Sequence, residues 1–132
     1  LQDGTQLTGS VISMGNPHFV CFSEKSPSDE KVLLKGPMAE RHDRFPDRSN
    51  IEFARVCGKD EIEMRVWERG SGETMACGTG ACATAVAAIT KGLTGRDVTV
   101  HLLGGDLRIS LDEQGHVLMA GPATTVFEGY FQ

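Results

Sequence analysis

Gly70-Ser71-Gly72-Glu73-Thr74-Met75-Ala76-Cys77-Gly78-Thr79-Gly80-Ala81-Cys82-Ala83-Thr84-Ala85-Val86-Ala87-Ala88-Ile89-Thr90-Lys91-Gly92 is the stretch on which the fold turns. Glycines crowd its front, alanines fill its back, and no charged side chain occurs between Met75 and Thr90. Alanine is the strongest helix former, so the spacing predicts a helix from about Thr79 to Lys91. Gly92 stands where a left-handed C-terminal cap belongs, with Lys91 near the negative end of the dipole. Such a helix has no face wide enough for water and is expected to be buried on all sides. Its small side chains let the surrounding backbone come close. The glycines at its start turn backbone N–H groups toward the positive end of the dipole, which suits an anion such as a carboxylate. Cys77 lies at the mouth of that site, where a thiolate is stabilised. Taken alone, a cysteine is most often a small buried apolar residue. Here the glycine-rich approach, the dry helix and the flanking Glu68, Arg69 and Glu73 favour a functional thiol. Cys82, inside the helix, reads as plain core.

Working outward, the 132 residues suit one domain, residues 1–132, with a modest core. A net charge of −5 argues against nucleic acid or an anionic membrane as a partner. No apolar run is long enough to span a bilayer, and no signal peptide is recognisable, so the expected location is cytoplasmic. Cys21, Cys57, Cys77 and Cys82 form no C-x-x-C pair and the histidines are scattered, so no zinc pattern exists. In that compartment free thiols are favoured over disulfides.

In order, Leu7–Met14 reads as a strand, Gly15-Asn16-Pro17-His18 as a tight turn and Phe19–Phe22 as a second strand. Ser23–Glu30 is loop-like, Leu33–His42 can hold a short helix with Pro37 in its first turn, and Arg41–Arg48 is a solvated charged run. Asn50–Val56, with Ile51, Phe53 and Arg55 on one face, and Ile62–Trp67 form a hairpin about Gly58-Lys59-Asp60. The second of these strands runs into Glu68-Arg69-Gly70, a carboxylate and a guanidinium placed for a zwitterionic small molecule; a surface ion pair is the plainer reading. After the helix, Val98–Leu102, Leu107–Leu111, Val117–Ala120 and Thr124–Phe131 read as a meander. About eight strands then surround one helix. The class is α+β: a strongly curved, mostly antiparallel sheet or open barrel wrapped around one central buried helix.

Gly15-Asn16-Pro17-His18, Asn50-Ile51-Glu52-Phe53, Trp67 through Thr74 and Ala76-Cys77-Gly78-Thr79-Gly80-Ala81 together resemble the diaminopimelate epimerase family. The likeness extends to Gly121-Pro122-Ala123 and Val126-Phe127-Glu128-Gly129 and covers the whole chain, but only the C-terminal half of that family. The resemblance implies two similar domains facing each other, each a sheet wrapped on a helix, with substrate in the cleft. It implies no cofactor, neither metal nor pyridoxal phosphate. It also implies one cysteine per domain, working as base and acid on opposite faces of the substrate α-carbon, the arrangement that inversion by proton transfer needs.

On this resemblance Cys77 is the catalytic cysteine of the half present. Glu68 pairs with it and contacts the substrate ammonium. Arg69, with Asn16 and Asn50 beside it, binds the distal carboxylate. Gly78 and Thr79 supply half of the α-carboxylate site, and His18 stands next to the other domain's cysteine. The implied partners are diaminopimelate and the missing N-terminal domain, with room for a homodimer. The implied activity is interconversion of LL- and meso-2,6-diaminopimelate for lysine and peptidoglycan synthesis, with this chain carrying half a site and inactive alone. Two other readings are a racemase or isomerase of a different amino acid in the same superfamily, and a non-catalytic binding or assembly domain.

Overall fold

The computed structural model describes residues 4, 6–46, 48–74 and 78–120, and the backbone of 125–130. The chain runs β1 (Ser10–Ser13), β2 (Pro17–Phe22), a wide helical turn (Glu30–Lys35) continuing into α1 (Gly36–Glu40), β3 (Asn50–Gly58), β4 (Glu61–Glu68), β5 (Gly72–Thr74), α2 (Gly78–Thr90), β6 (Asp97–Leu102), β7 (Gly105–Leu111), β8 (His116–Ala120) and β9 (Thr125–Tyr130).

The strands form one curled sheet in the order β1-β2-β3-β4-β6-β7-β8-β9, with β5 added beside β4. Two neighbouring pairs are parallel, β2 with β3 and β4 with β6. Parallel neighbours need a long crossover, and the two helical segments are those crossovers. The other pairs are antiparallel, and β6 to β9 form the expected meander.

α2 lies in the hollow of the sheet and touches β1, β2, β3, β4, β6, β7 and β8. Its residues Gly80–Ala88 are all buried, as a helix without a polar stripe requires. Around it pack Ile12, Val20, Ala54, Ile62, Met64, Val66, Val98, Val100, Ile109 and Val117. The helix ends as expected: Gly92 has φ 75°, and the Gly92 and Leu93 N–H groups donate to the Ile89 and Ala88 carbonyls. No helix among the described residues is long and apolar enough to cross a membrane.

Two expectations are revised. The sheet has nine strands, because the chain reverses after Arg69-Gly70-Ser71 and pairs Thr74 with Val66 and Glu73 with Trp67. Arg65 secures this extra strand by donating twice to Glu73, at 2.7 and 2.8 Å. Glu73 is therefore committed to the sheet. The first strand begins at Ser10, not Leu7. At Gly9 the backbone passes so close to the Val20 carbonyl that a Cβ would lie 2.5 Å from its oxygen.

The outer face of the sheet is covered as well. A second apolar layer lies there, made of Cys21, Val32, Ala39, Ile51 and Phe53 with Phe19, Phe45 and Trp67 packed against it. α1 covers this layer. Gly36 lets it do so: a Cβ there would meet Trp67 Cβ at 2.8 Å. Both faces of β3 are thus covered, and Asn50–Ala54 are buried without a break.

Candidate active site

The inner face of the sheet changes character along its strands. Toward one end β2, β3 and β4 present Val20, Ala54, Met64 and Ile62 to α2. Toward the other end the same alternation presents polar groups. Register sets His18 beside Asn50 and Val20 beside Glu52, while Glu52 faces Val66 across β3 and β4. Glu68 closes β4 one step beyond the Ile51–Trp67 pair. The first turn of α2, with Gly78 and Thr79, arrives at this polar end.

A hydrogen-bonded chain joins the sheet to the helix. His18 Nδ1 lies 2.9 Å from Glu52 Oε2, and His18 Nε2 lies 3.0 Å from Asn16 Oδ1. Asn16 Nδ2 reaches Thr79 Oγ1 at 3.5 Å. Gly15, at φ 87°, makes the turn that brings Asn16 over the sheet end. His18 and Glu52 are fully buried, at 0% exposure each. Burial pushes the Glu52 carboxyl above the usual carboxylate range, and the nearby Glu68 charge adds to this, against the hydrogen bond shared with His18.

A second set of bonds holds the Glu68-Arg69-Gly70 turn. Asn50 Nδ2 donates to the Pro17 carbonyl at 3.0 Å, and its Oδ1 accepts the Arg69 N–H at 2.8 Å. Asn50 thus ties the β1–β2 turn to the turn after β4. From the outer face, Glu40 accepts from Trp67 Nε1 at 2.9 Å and from the Gly70 N–H at 2.8 Å. Reading the sequence missed both Glu40 and Glu52. Glu40 could be found only by knowing that α1 packs on β4. Glu52 carried one signal, a carboxylate inside a run that is otherwise apolar at Ile51, Phe53 and Ala54.

The structure therefore gathers Asn16, His18, Asn50, Glu68, Arg69, Gly78 and Thr79 from four separated segments. Cys77, which directly precedes Gly78, lies outside the described residues, as do Gly121, Pro122 and Ala123. The other cysteines stand apart. Cys82 is buried in α2, its Sγ 4.0 Å from Met119 Sδ. Cys57 is exposed, and Cys21 is a buried thiol pushed up to about 12 by desolvation and by Glu52, with Lys31 acting the other way. Among the described residues no group of three or more His, Cys, Asp or Glu is placed to hold a metal ion. A hollow of about 410 Å³ lined by Leu7, Phe19, Ala39, His42 and Phe45 lies against the outer layer, away from this polar end.

The family model described as diaminopimelate epimerase matches residues 10–126. The chain belongs to the diaminopimelate epimerase family. It is 50% identical over 129 residues to the diaminopimelate epimerase of Bacillus velezensis, covering 96% of this chain and 45% of that protein. It is 54% identical over 122 residues to the enzyme of Methanococcus maripaludis, with 91% and 43% covered. Against that of Bacteroides thetaiotaomicron it is 56% identical over 119 residues, with 89% and 44% covered. The chain thus spans less than half the length of these relatives.

Solved structures agree on the fold. A PhzF-family phenazine biosynthesis protein from Enterococcus faecalis superposes with a TM-score of 0.59 at 18% identity, over 79% of this chain and 36% of that one. A predicted epimerase from Pseudomonas aeruginosa gives a TM-score of 0.54 at 16% identity, over 79% and 36%. At these identities the likeness concerns the α+β fold alone.

Proposed function

We infer that the chain is one half of a cofactor-independent diaminopimelate epimerase. It supplies one of two acid/base groups and one wall of the substrate site. The observation that carries this reading is the bonded chain from His18 through Asn16 to Thr79, at the start of the helix that Cys77 precedes in the sequence, with Asn50 tying the Glu68-Arg69 turn to Pro17 beside it.

In this reading the Cys77 thiolate takes the α-proton from one face while a cysteine of the absent N-terminal half delivers a proton to the other; the reverse direction exchanges the roles. The thiolate is favoured by the positive end of the α2 dipole. Backbone N–H groups of Gly78 and Thr79 receive the α-carboxylate, Glu68 takes the ammonium, and Arg69 with Asn16 holds the distal carboxylate. Asn50 serves by fixing the Arg69 turn. The site acts on LL- and meso-2,6-diaminopimelate in the cytoplasm, feeding lysine and peptidoglycan synthesis.

The test is wash-in of deuterium at the substrate α-carbon in D2O. The chain alone is expected to give no exchange, and the chain joined to a relative's N-terminal half is expected to exchange. Cys77→Ala in the joined protein is expected to abolish exchange. Cys82→Ala is expected to leave turnover intact and to cost about 1 kcal/mol or more of stability through a small cavity. Exchange by the purified chain alone would overturn the half-site reading.

A further inference from the structure

Glu52 is a fully buried carboxyl to which the mechanism above gives no part. Its Oε2 meets His18 Nδ1, and its Oε1 has no hydrogen-bond partner among the described residues. The protons along the chain from Glu52 to Thr79 can be counted. An amide oxygen only accepts, so His18 Nε2, facing Asn16 Oδ1, must carry a proton. One further proton then lies between Nδ1 and Oε2, and the His18–Glu52 pair has no net charge. Turning the Asn16 amide around makes Nε2 an acceptor and puts the only imidazole proton on Nδ1. Glu52 must then be either a carboxylate, which gives the pair a full negative charge with one bare oxygen, or an acid with its proton on Oε1, a buried donor that no acceptor meets. Burying an ion without a compensating cation or donor is far costlier than burying a neutral pair. Glu68, whose charge acts on Glu52, makes that second arrangement worse. Within the neutral count, proton transfer to His18 would leave the same bare oxygen charged, so the carboxylic acid is the cheaper form.

We propose that Glu52 is a positioning residue: as a neutral carboxylic acid it donates to His18 Nδ1, His18 Nε2–H holds Asn16 Oδ1, and the Asn16 amide is thereby fixed with its N–H donors toward the first turn of α2. An asparagine amide in a binding site can face a ligand as donor or acceptor. This relay selects the donor, so the site recognises a carboxylate and rejects an ammonium at that place. The identity of the ligand rests on the epimerase reading; the state of the relay does not.

The first test is therefore made on the chain itself. In 15N-histidine-labelled protein at neutral pH, His18 Nδ1 is expected to show a pyridine-type shift and Nε2 a pyrrole-type shift. An imidazolium pattern, or the opposite tautomer, overturns the proposal. Glu52→Gln can donate to Nδ1 from its amide and is expected to keep the pattern, whereas Glu52→Leu is expected to lose it. The second test uses the full-length protein, with the half its relatives carry in addition. Glu52→Gln is expected to keep kcat and KM within about threefold, and Glu52→Leu to raise KM for diaminopimelate about tenfold with a smaller change in kcat, the scale of one oriented hydrogen bond. Equal losses in both variants, or none in either, overturn the positioning role. Absence of exchange in the unsubstituted full-length protein would instead defeat the epimerase reading and leave the NMR result to decide Glu52.

Discussion

Replacing Glu40 by alanine tests how the Glu68-Arg69-Gly70 turn is held. The Glu40 carboxylate is 5% exposed and accepts from both Trp67 Nε1 and Gly70 N–H. A hydrogen bond to a charged acceptor contributes about 1.5–3 kcal/mol. Gly70 is exposed, so water replaces most of its share, whereas half-buried Trp67 is resolvated less well. Removing the carboxylate also relieves its own desolvation. Arg48 Nη1, 3.8 Å away and 55% exposed, adds little. The net expectation for Glu40→Ala is a loss of about 2 kcal/mol, or roughly 4–8 °C in Tm for a chain of this size. Glutamine has one acceptor oxygen for two donors, so Glu40→Gln is expected to lose about half as much. The assay is urea unfolding followed by far-UV CD and by fluorescence. Trp67 is the single tryptophan of the chain, so its emission reports the indole contact directly. Unchanged stability together with unchanged emission in Glu40→Ala would refute the reasoning.

Gly36→Ala is expected to push α1 off the sheet, since its Cβ would lie 2.8 Å from Trp67 Cβ; the cost is about 1–3 kcal/mol, and a melting curve equal to that of the parent chain would count against the packing described. His101 bonds Asp106 and Glu61 through its two ring nitrogens, and those partners, Asp106 first, raise its pKa above the usual value. A pKa raised in the folded state means that its stabilising effect is complete below the unfolded value near 6.5 and fades as pH rises through the folded one. The side chain is 35% exposed, so the effect is small; His101→Gln is expected to flatten the Tm-versus-pH profile as pH rises above about 6.5, and an unchanged profile would exclude it. Under timed iodoacetamide treatment Cys77 is expected to label first and exposed Cys57 next, with buried Cys21 and Cys82 last; labelling of Cys21 as fast as Cys57, read by peptide mass mapping, would contradict its burial.

α2 was legible in the sequence because its cause is local: a run of small apolar residues between a glycine-rich approach and Gly92. Eight of the nine strands and most turns were legible for the same reason; β5 was not, because only the reversal after Ser71 and the pairing with β4 make it a strand. The faces of β3 were not. Ile51 and Phe53 alternate with Asn50 and Glu52, and alternation tells which residues share a face, not which face meets the main core. The apolar pair turns out to lie under α1, while Asn50 and Glu52 lie on the α2 side, beside His18 and Val20. Glu40 was invisible for a related reason. Its partners Trp67 and Gly70 lie far along the chain, and only the approach of α1 to β4 brings them together. The glutamate and arginine at the end of β4 were legible as a motif. The buried bonds that aim their turn, from Asn50 and Glu40, were not.

The sheet order has a consequence for how the chain assembles. β3 and β4 are adjacent in sequence, separated only by Lys59 and Asp60, yet they occupy the middle of the sheet. Their hairpin closes a very short loop, so it forms at small entropic cost. Both parallel seams, by contrast, wait for a helical crossover to be laid down first, and pairings of that sequence separation are slow to find. The expected route therefore begins at the central hairpin and grows outward in both directions, with the polar end completed late, when β2 docks beside β3 and brings Asn16 and His18 to Glu52. In φ-value terms, substitutions at Val56 and Ile62 should slow folding, while those at Val20 should mainly speed unfolding; the opposite pattern would mean that the β2–β3 seam forms first.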